Sequence, residues 1–400
     1  MPSARDIAVR IAMQLREKGF EALLAGGCVR DEALGREPRD WDVATTATPE
    51  DVRVLFKGAH CVGESFGVML VRRGGFTTEV ATFRVDGPSA DHRRPDRVEF
   101  SDARHDAQRR DFTINGLFQD PETEAIIDHV GGLDDLKQRI IRAIGRPGDR
   151  FDEDHLRMLR AVRFAAMLDF RIEDATAAAI REHAGALSGV SRERVGDEFR
   201  RMLMHPCAVS AMGLLASMQL DQHVLNRALG GSMQHLAATV DKAMDWPARL
   251  AGLALDCSVD ADGVRDAWTG LLMLSNSVRD NACRVLDAYE GLSDWDAMTM
   301  AQQRRLLGSA QAGDAVVLRG VRHAEQAAAI DKALVQWTAL PGGVLPPRLL
   351  GGQALLDAGV KAGPELGILL EKLYDAQLEA SVATEPQARA LLSQLRESTS

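Results

Sequence analysis

The chain has 400 residues, 46% of them hydrophobic and 26% charged, so it exceeds one small core and should fold as two to four domains or subdomains. No apolar run approaches membrane-spanning length and the first residues lack the basic-then-apolar layout of a secretory signal, which makes a cytoplasmic protein with no membrane partner the expectation. A net charge of −10 argues against indiscriminate coating of nucleic acid, and five scattered cysteines with no CxxC pair argue against a disulfide framework or a cysteine zinc site.

In chain order, the N-terminal part alternates helical and strand patterns. Ala4 to Lys18 carries Ile7, Ile11 and Leu15 at helical spacing and stops at Gly19. Phe20 to Ala25 reads as a buried strand entering Gly26-Gly27, and Asp40 to Thr45 as a second short strand. Thr48-Pro49 caps and opens a helix to Phe56. Gly67 to Arg72 and Thr77 to Arg84 read as strands paired around Gly74-Gly75. Asp86 to Val98 is polar, with a glycine and two prolines, and reads as a loop. A helix near Ala107 to Phe118 and a strand near Ile126 complete an α/β unit. From Asp152 onward the strand signal fades: Asp152 to Leu168, Asp174 to Leu187 and Ser191 to His205 read as helices. The remainder is rich in Ala, Leu and Met at helical spacing, with the methionines between Met202 and Met244 expected in the core. A break is expected at Pro341 to Pro347.

Chemistry concentrates in Leu24 to Thr46. Asp40 and Asp42, two apart on a predicted strand, should project from one face while Trp41 turns away. Hard oxygen ligands at that separation suit Mg²⁺, which binds carboxylates together with substrate phosphates. Two such ions activate an attacking hydroxyl and stabilise a leaving pyrophosphate. Gly26-Gly27 lets backbone amides approach a triphosphate, and Arg30 lies about one helical turn beyond. A DxD alone is most often a solvated strand end, and a double glycine most often a turn. Their combination in this order, with Arg30 between, points to phosphate chemistry.

The run GGCVRD followed by DWD resembles the first motif of the class II tRNA nucleotidyltransferase and bacterial poly(A) polymerase family. Later motifs follow in the same order: RRDFTINGL at Arg109 to Leu117, DHVGGLDDLKQRIIR at Asp128 to Arg142, EDHLRMLRAVRFA at Glu153 to Ala165, and SRERVGDEFRRML at Ser191 to Leu203. The resemblance covers about the first half of the chain. It implies an α+β fold: a head related to DNA polymerase beta with a mixed sheet, then an all-helical neck, body and tail. The expected divisions are a catalytic head at 1–145, a neck at 146–210, a body at 211–340 and a tRNA-binding tail at 341–400. It also implies that Asp40 and Asp42 bind metal, that Gly27 and Arg30 contact the incoming nucleotide with Gly26, that Arg110 binds it too, and that Asp111 orders its surroundings. Glu79, in TTEVATFR, is a candidate third carboxylate, or else an exposed strand residue. The family more often has Ala at the position of Gly116.

Such an enzyme adds CCA to the tRNA 3′ end from CTP and ATP with no nucleic-acid template, so side chains must read the base. On a predicted continuous helix Asp154 and Arg157 would share a face, while Glu153 and Arg157 can pair. A carboxylate accepts from the exocyclic amino group of C and A, and an arginine donates to the neighbouring ring acceptors. U and G present the opposite pattern. The resemblance implies this role for the EDxxR motif, Glu153, Asp154 and Arg157, as nucleotide-binding residues, and places Arg160 and Arg163 near nucleotide or phosphate. Ser191 is expected to cap a helix, and Glu193 and Arg194 to brace the base-reading one. The loop at Asp86 to Val98 corresponds to one that helps the family switch from C to A, which argues against a CC-only enzyme. His105-Asp106 reads as structural. Gly359 to Pro364 (GxxxGP) reads either as a phosphate-holding helix start or as a plain hairpin turn. The nearest rivals are a poly(A) polymerase or an A-only adding enzyme; a catalytically silent RNA-binding protein is the rival of another class. VGESFGVMLV resembles CCA enzymes more than poly(A) polymerases, and the last twenty-five residues lack a basic RNA-gripping tail.

Overall fold

In the computed structural model the described residues are 2–61, 67–86, 98–340 and 342–397. All but the two ends of the expected loop at Asp86 to Val98, and part of VGESFGVMLV, therefore lie outside them. The chain forms two compact units, Met1–Gly230 and Gly231–Ser400.

The first unit opens with α1 (Ala4–Glu17), started by a Ser3–Asp6 capping box and burying Ile7, Ile11 and Leu15. There follow β1 (Ala22–Ala25), α2 (Gly27–Ala33), β2 (Asp42–Thr45), α3 (Pro49–Leu55), β3 (His60–Cys61), β4 (Val68–Arg73) and β5 (Phe76–Thr82). Next come β6 (Arg84–Asp86), β7 (Val98–Phe100), α4 (Ala103–Arg109), β8 (Leu117–Gln119) and β9 (Ile126–Asp128). Seven of these strands form one sheet in the order β3-β4-β5-β2-β1-β8-β9. It is mixed, because β2 and β5 run parallel while the other pairs are antiparallel. β4 and β5 turn at Gly74 and Gly75, both at positive φ (57° and 86°), as a tight hairpin requires.

Two head elements differ from expectation. β2 starts at Asp42, not Asp40, because its partner β1 ends at Ala25, opposite Asp42, where Gly26 turns the chain away. The helix expected over Ala107 to Phe118 is instead α4, an extended step, a single 3₁₀ turn at Thr113–Asn115 and β8. The Asp111 carboxylate accepts from Phe112 N and Asn115 Nδ2, side-chain bonds that compete with a continuing helix.

The unit continues through α5 (Gly132–Gln138), β10 (Ile140–Ile141), α6 (Pro147–Glu153), α7 (Arg157–Leu168), β11 (Arg171–Ile172), α8 (Asp174–His183), α9 (Arg192–Leu203), α10 (Ala208–Ser217) and α11 (Asp221–Leu225). The helix expected over Asp152 to Leu168 is broken at 154–156. Asp154 is extended (φ −153°, ψ 102°) and its carboxylate accepts from Leu156 N, so α7 begins afresh. α7 buries Met158, Leu159, Val162, Phe164 and Leu168 and packs on α9 and α10. Ser191 occupies the N-cap position of α9, though its side chain makes no capping bond.

The second unit is helical among its described residues, with one core around Leu292, Trp295, Val316 and Ile330 and another around Leu355, Leu369, Leu373 and Leu392. Gly363-Pro364 opens the helix Pro364–Leu378, and the 343–344 carbonyls accept from buried Arg304.

Candidate active site

The site is built where β1 ends. Gly26 has φ 77°, so the backbone favours glycine there, and a Cβ would lie 2.8 Å from Arg110 Nη1, whose guanidinium would have to shift. Its N–H donates to Leu117 O, tying the turn to the start of β8. Gly27 opens α2, with Arg30 Nη2 3.6 Å from where its Cβ would be. Arg110 lies over the Phe118 ring at 4.9 Å, donates to Asn115 O and pairs with Asp106 at 2.9 Å. Asp106 is buried and also pairs with Arg109, while His105 is held by Asp102, which fits the structural reading of that dipeptide.

Asp42 and Glu79 head neighbouring positions of adjacent strands, since Val43 and Val80 are partners in the parallel β2–β5 ladder. Asp40 stands just before the strand, exposed. Burial pushes the Asp42 carboxyl up to about 7; the charges of Glu79 and Asp40 add to that, and Arg110 opposes it. A desolvated carboxyl next to two further carboxyl groups is a donor set that suits a cation. Among the described residues no three His, Cys, Asp or Glu side chains converge into a complete metal cage. An open arrangement of hard oxygens fits an ion completed by substrate phosphates better than an all-protein cage.

Behind the turn, Arg30, Arg160 and Arg163 surround one ring, Phe164, at 5.2, 5.3 and 4.3 Å. Each has acidic or amide partners: Arg30 with Asp31 and Asn115 Oδ1, Arg160 with Asp111 at 2.7 Å, Arg163 with Glu198 at 2.5 Å. Burial would raise the Asp111 carboxyl, yet Arg160 and the Asn115 amide outweigh it and hold the carboxyl near 2. Burial lowers the Arg163 guanidinium, while Asp111 raises that of Arg160. Arg30 and Arg163 are buried while Arg160 is partly exposed, and Arg163 sits in a buried ion pair with Glu198.

Asp154 and Arg157 do not pair with each other. Asp154 receives both terminal nitrogens of Arg194, at 3.2 and 2.8 Å, so Arg194 braces this segment as expected. A carboxylate has about four acceptor positions, and a base edge can use the remainder. Arg157 donates to Glu153 Oε2 at 2.6 Å, Arg150 O at 3.0 Å and Arg109 O at 3.3 Å. The structure thus gathers Gly26, Gly27, Arg30, Arg110, Asp111, Arg160 and Arg163 into one network. It places Asp40, Asp42 and Glu79 at one strand edge, and Glu153, Asp154 and Arg157 at the α6–α7 break. Sequence reasoning missed Asn115, Phe164 and Glu198, whose roles exist only through tertiary contacts. It also missed Arg150, whose i,i+3 spacing to Glu153 was a usable signal.

Comparison with known proteins agrees with this layout. The family described as the Poly A polymerase head domain matches residues 22–142, and the one described as the probable RNA and SrmB-binding site of polymerase A matches 169–228. A CCA-adding enzyme of Limosilactobacillus fermentum is 34% identical, over 97% of this chain and 96% of its own length. One from Streptococcus pyogenes is 33% identical over 95% and 94%. The Bacillus stearothermophilus CCA-adding enzyme in complex with CTP superposes with a TM-score of 0.80 at 29% identity, covering 100% of this chain and 99% of that one. The Thermotoga maritima CCA-adding enzyme complexed with a tRNA shares the fold, with a TM-score of 0.71 at 19% identity over 98% and 95%.

Proposed function

Since the chain belongs to the CCA-adding enzyme family of tRNA nucleotidyltransferases, we propose that the site described above completes the tRNA 3′ end, with Asp40 and Asp42 as its metal ligands. The reaction joins the RNA 3′-hydroxyl oxygen to the α-phosphorus of CTP or ATP and breaks the bond to the leaving pyrophosphate. Enzymes of this family use divalent metals, and the hard oxygen donors here favour Mg²⁺. Held by Asp40 and Asp42, it would neutralise charge building on the α-phosphate and the departing oxygen.

The chain's own residues do the rest. Gly26 and Gly27 leave room for the triphosphate beside their amides, and Arg30 and Arg110 offset its charge from either side of the turn. Glu79 keeps the local field negative and is the candidate third carboxylate. Asp111, with Arg160, fixes the geometry of the Arg110 to Asn115 segment. Asp154 accepts from the amino group of C or A, and Arg157 donates to the adjacent ring acceptor. Arg163 supports this from within the ion pair with Glu198. Residues 1–145 act as catalytic head, 146–210 as neck and 211–340 as body, while 341–400 hold tRNA. The enzyme works in the cytoplasm.

The observation that carries the reading is the Asp42 carboxyl, desolvated beside Glu79 and Asp40, one step from the Gly26–Arg110 turn. The deciding experiment is incorporation of CTP and ATP on tRNA lacking CCA, with and without Mg²⁺, for the wild type and Asp42→Ala. Equal turnover by the variant at saturating Mg²⁺ would remove the metal assignment.

A further inference from the structure

We propose that Arg150, one turn before the base-reading segment, is a positioning residue for nucleotide choice: it fixes the guanidinium of Arg157 through Glu153 and anchors both to the end of α4. This rests on the base-reading role of Asp154 and Arg157 proposed above.

Every N–H of the Arg150 guanidinium has a protein partner. Nε donates to Ile144 O at 3.0 Å, Nη1 to both carboxylate oxygens of Glu153 at 2.7 Å, and Nη2 to Gln108 O and to Arg110 O. Its side chain is 13% exposed. A guanidinium with five filled donors has none left for substrate, so its work is done through what it holds. What it holds is Glu153, whose Oε2 is also the charged partner of Arg157. Shared between two arginines, that carboxylate is fixed, and Arg157 is fixed with it.

The second anchor is α4. Its last turn leaves carbonyls with no helical partner, as every helix end does. Arg150 takes those of Gln108 and Arg110, and Arg157 takes that of Arg109 between them. Three consecutive carbonyls are thus bound by the base-reading arginine and its support. Residue 110 is also the arginine whose Nη1 rests against Gly26. The distance between the base-reading group and the phosphate turn is therefore set by Arg150 through a rigid, short path. Lysine cannot replace it: three donors on one nitrogen cannot span Ile144, Glu153 and residues 108–110.

The test is single-turnover incorporation of all four nucleotides by full-length Arg150→Ala and Arg150→Lys, on tRNA lacking CCA and lacking only A, with folding followed by thermal melts. Both variants should raise KM for CTP and ATP and cut discrimination against UTP and GTP by roughly ten- to a hundredfold, as displacement of a positioned group does. Arg150→Lys keeps the charge facing Glu153, so retained folding with lost discrimination separates positioning from simple stability. Should Arg150→Ala not fold, Arg150→Lys and Glu153→Gln decide, the latter removing the shared carboxylate with the same expected loss. Asp154→Ala and Arg157→Ala serve as controls. If these keep the preference for C and A, the base-reading assignment itself fails. If they lose it while folded Arg150→Lys keeps wild-type preference and merely turns over more slowly with every nucleotide, Arg150 is only structural.

Discussion

Asp42→Asn should abolish turnover and yet stabilise the metal-free protein above neutral pH. The Asp42 carboxyl stands at about 7 against an ordinary 3.8, so the folded state holds that proton more tightly than the unfolded chain does. Below pH 3.8 both states are protonated and the group costs nothing. Between 3.8 and about 7 the native state loses stability as pH rises, and above about 7 the whole penalty is in force. A difference of about three units at 1.36 kcal/mol each sets a ceiling of ~4 kcal/mol. Glu79 and Asp40 are exposed and can swing away, so about 2–3 kcal/mol is expected at pH 8. Asparagine keeps the shape and removes the charge. For a unit of this size that gain corresponds to roughly 4–12 °C in melting temperature. The assay is calorimetric melting of both proteins in EDTA at pH 5 and pH 8, then with Mg²⁺. The variant should melt higher at pH 8, by much less at pH 5. Mg²⁺ should raise the wild type at pH 8 and leave the variant nearly unmoved, because the ion repays the ionised carboxylate. Superimposable melts at pH 8 without metal, or equal shifts on adding it, would refute the account of a desolvated metal-binding carboxylate.

Further outcomes follow from the same geometry. Asp40→Ala should abolish incorporation of both CTP and ATP while tRNA binding, followed by filter retention, stays largely intact, because the carboxylates, as proposed metal ligands, would serve chemistry common to both nucleotides. Gly26→Ala forces a Cβ to within 2.8 Å of Arg110 Nη1 at φ 77°, and should raise KM for both nucleotides together with a loss of about 1–2 kcal/mol in unfolding free energy, read from denaturant midpoints. Exchanging Asp154→Arg with Arg157→Asp reverses the donor–acceptor edge and should shift relative use toward UTP and GTP by roughly ten- to hundredfold, even as total activity falls. A folded double variant that still prefers C and A would count against side-chain base reading.

The head was legible because its signals are local. A strand running into two glycines, a hairpin turning on Gly74-Gly75 and a capping box at Thr48 each declare themselves within a few residues, and the mixed sheet followed from the resemblance those motifs carry. Besides the late start of β2, what escaped was where an ion pair overrode local periodicity. The Asp111 carboxylate, held by Arg160 forty-nine residues away, binds its own neighbours and ends a helix that the apolar pattern would have continued to Phe118. The same happens at Asp154, drawn out of helical geometry by the guanidinium of Arg194, forty residues on. The second case alters the functional argument as well as the secondary structure. On an unbroken helix the acceptor and the donor proposed to read the base would stand side by side and neutralise each other. The break separates them: Arg194 steadies the carboxylate, while Glu153 steadies the arginine. Each of the two groups thus keeps a charged partner of its own and retains hydrogen-bonding capacity for a base edge, so on the proposed reading the departure from the expected helix would let Asp154 and Arg157 act independently on one nucleotide.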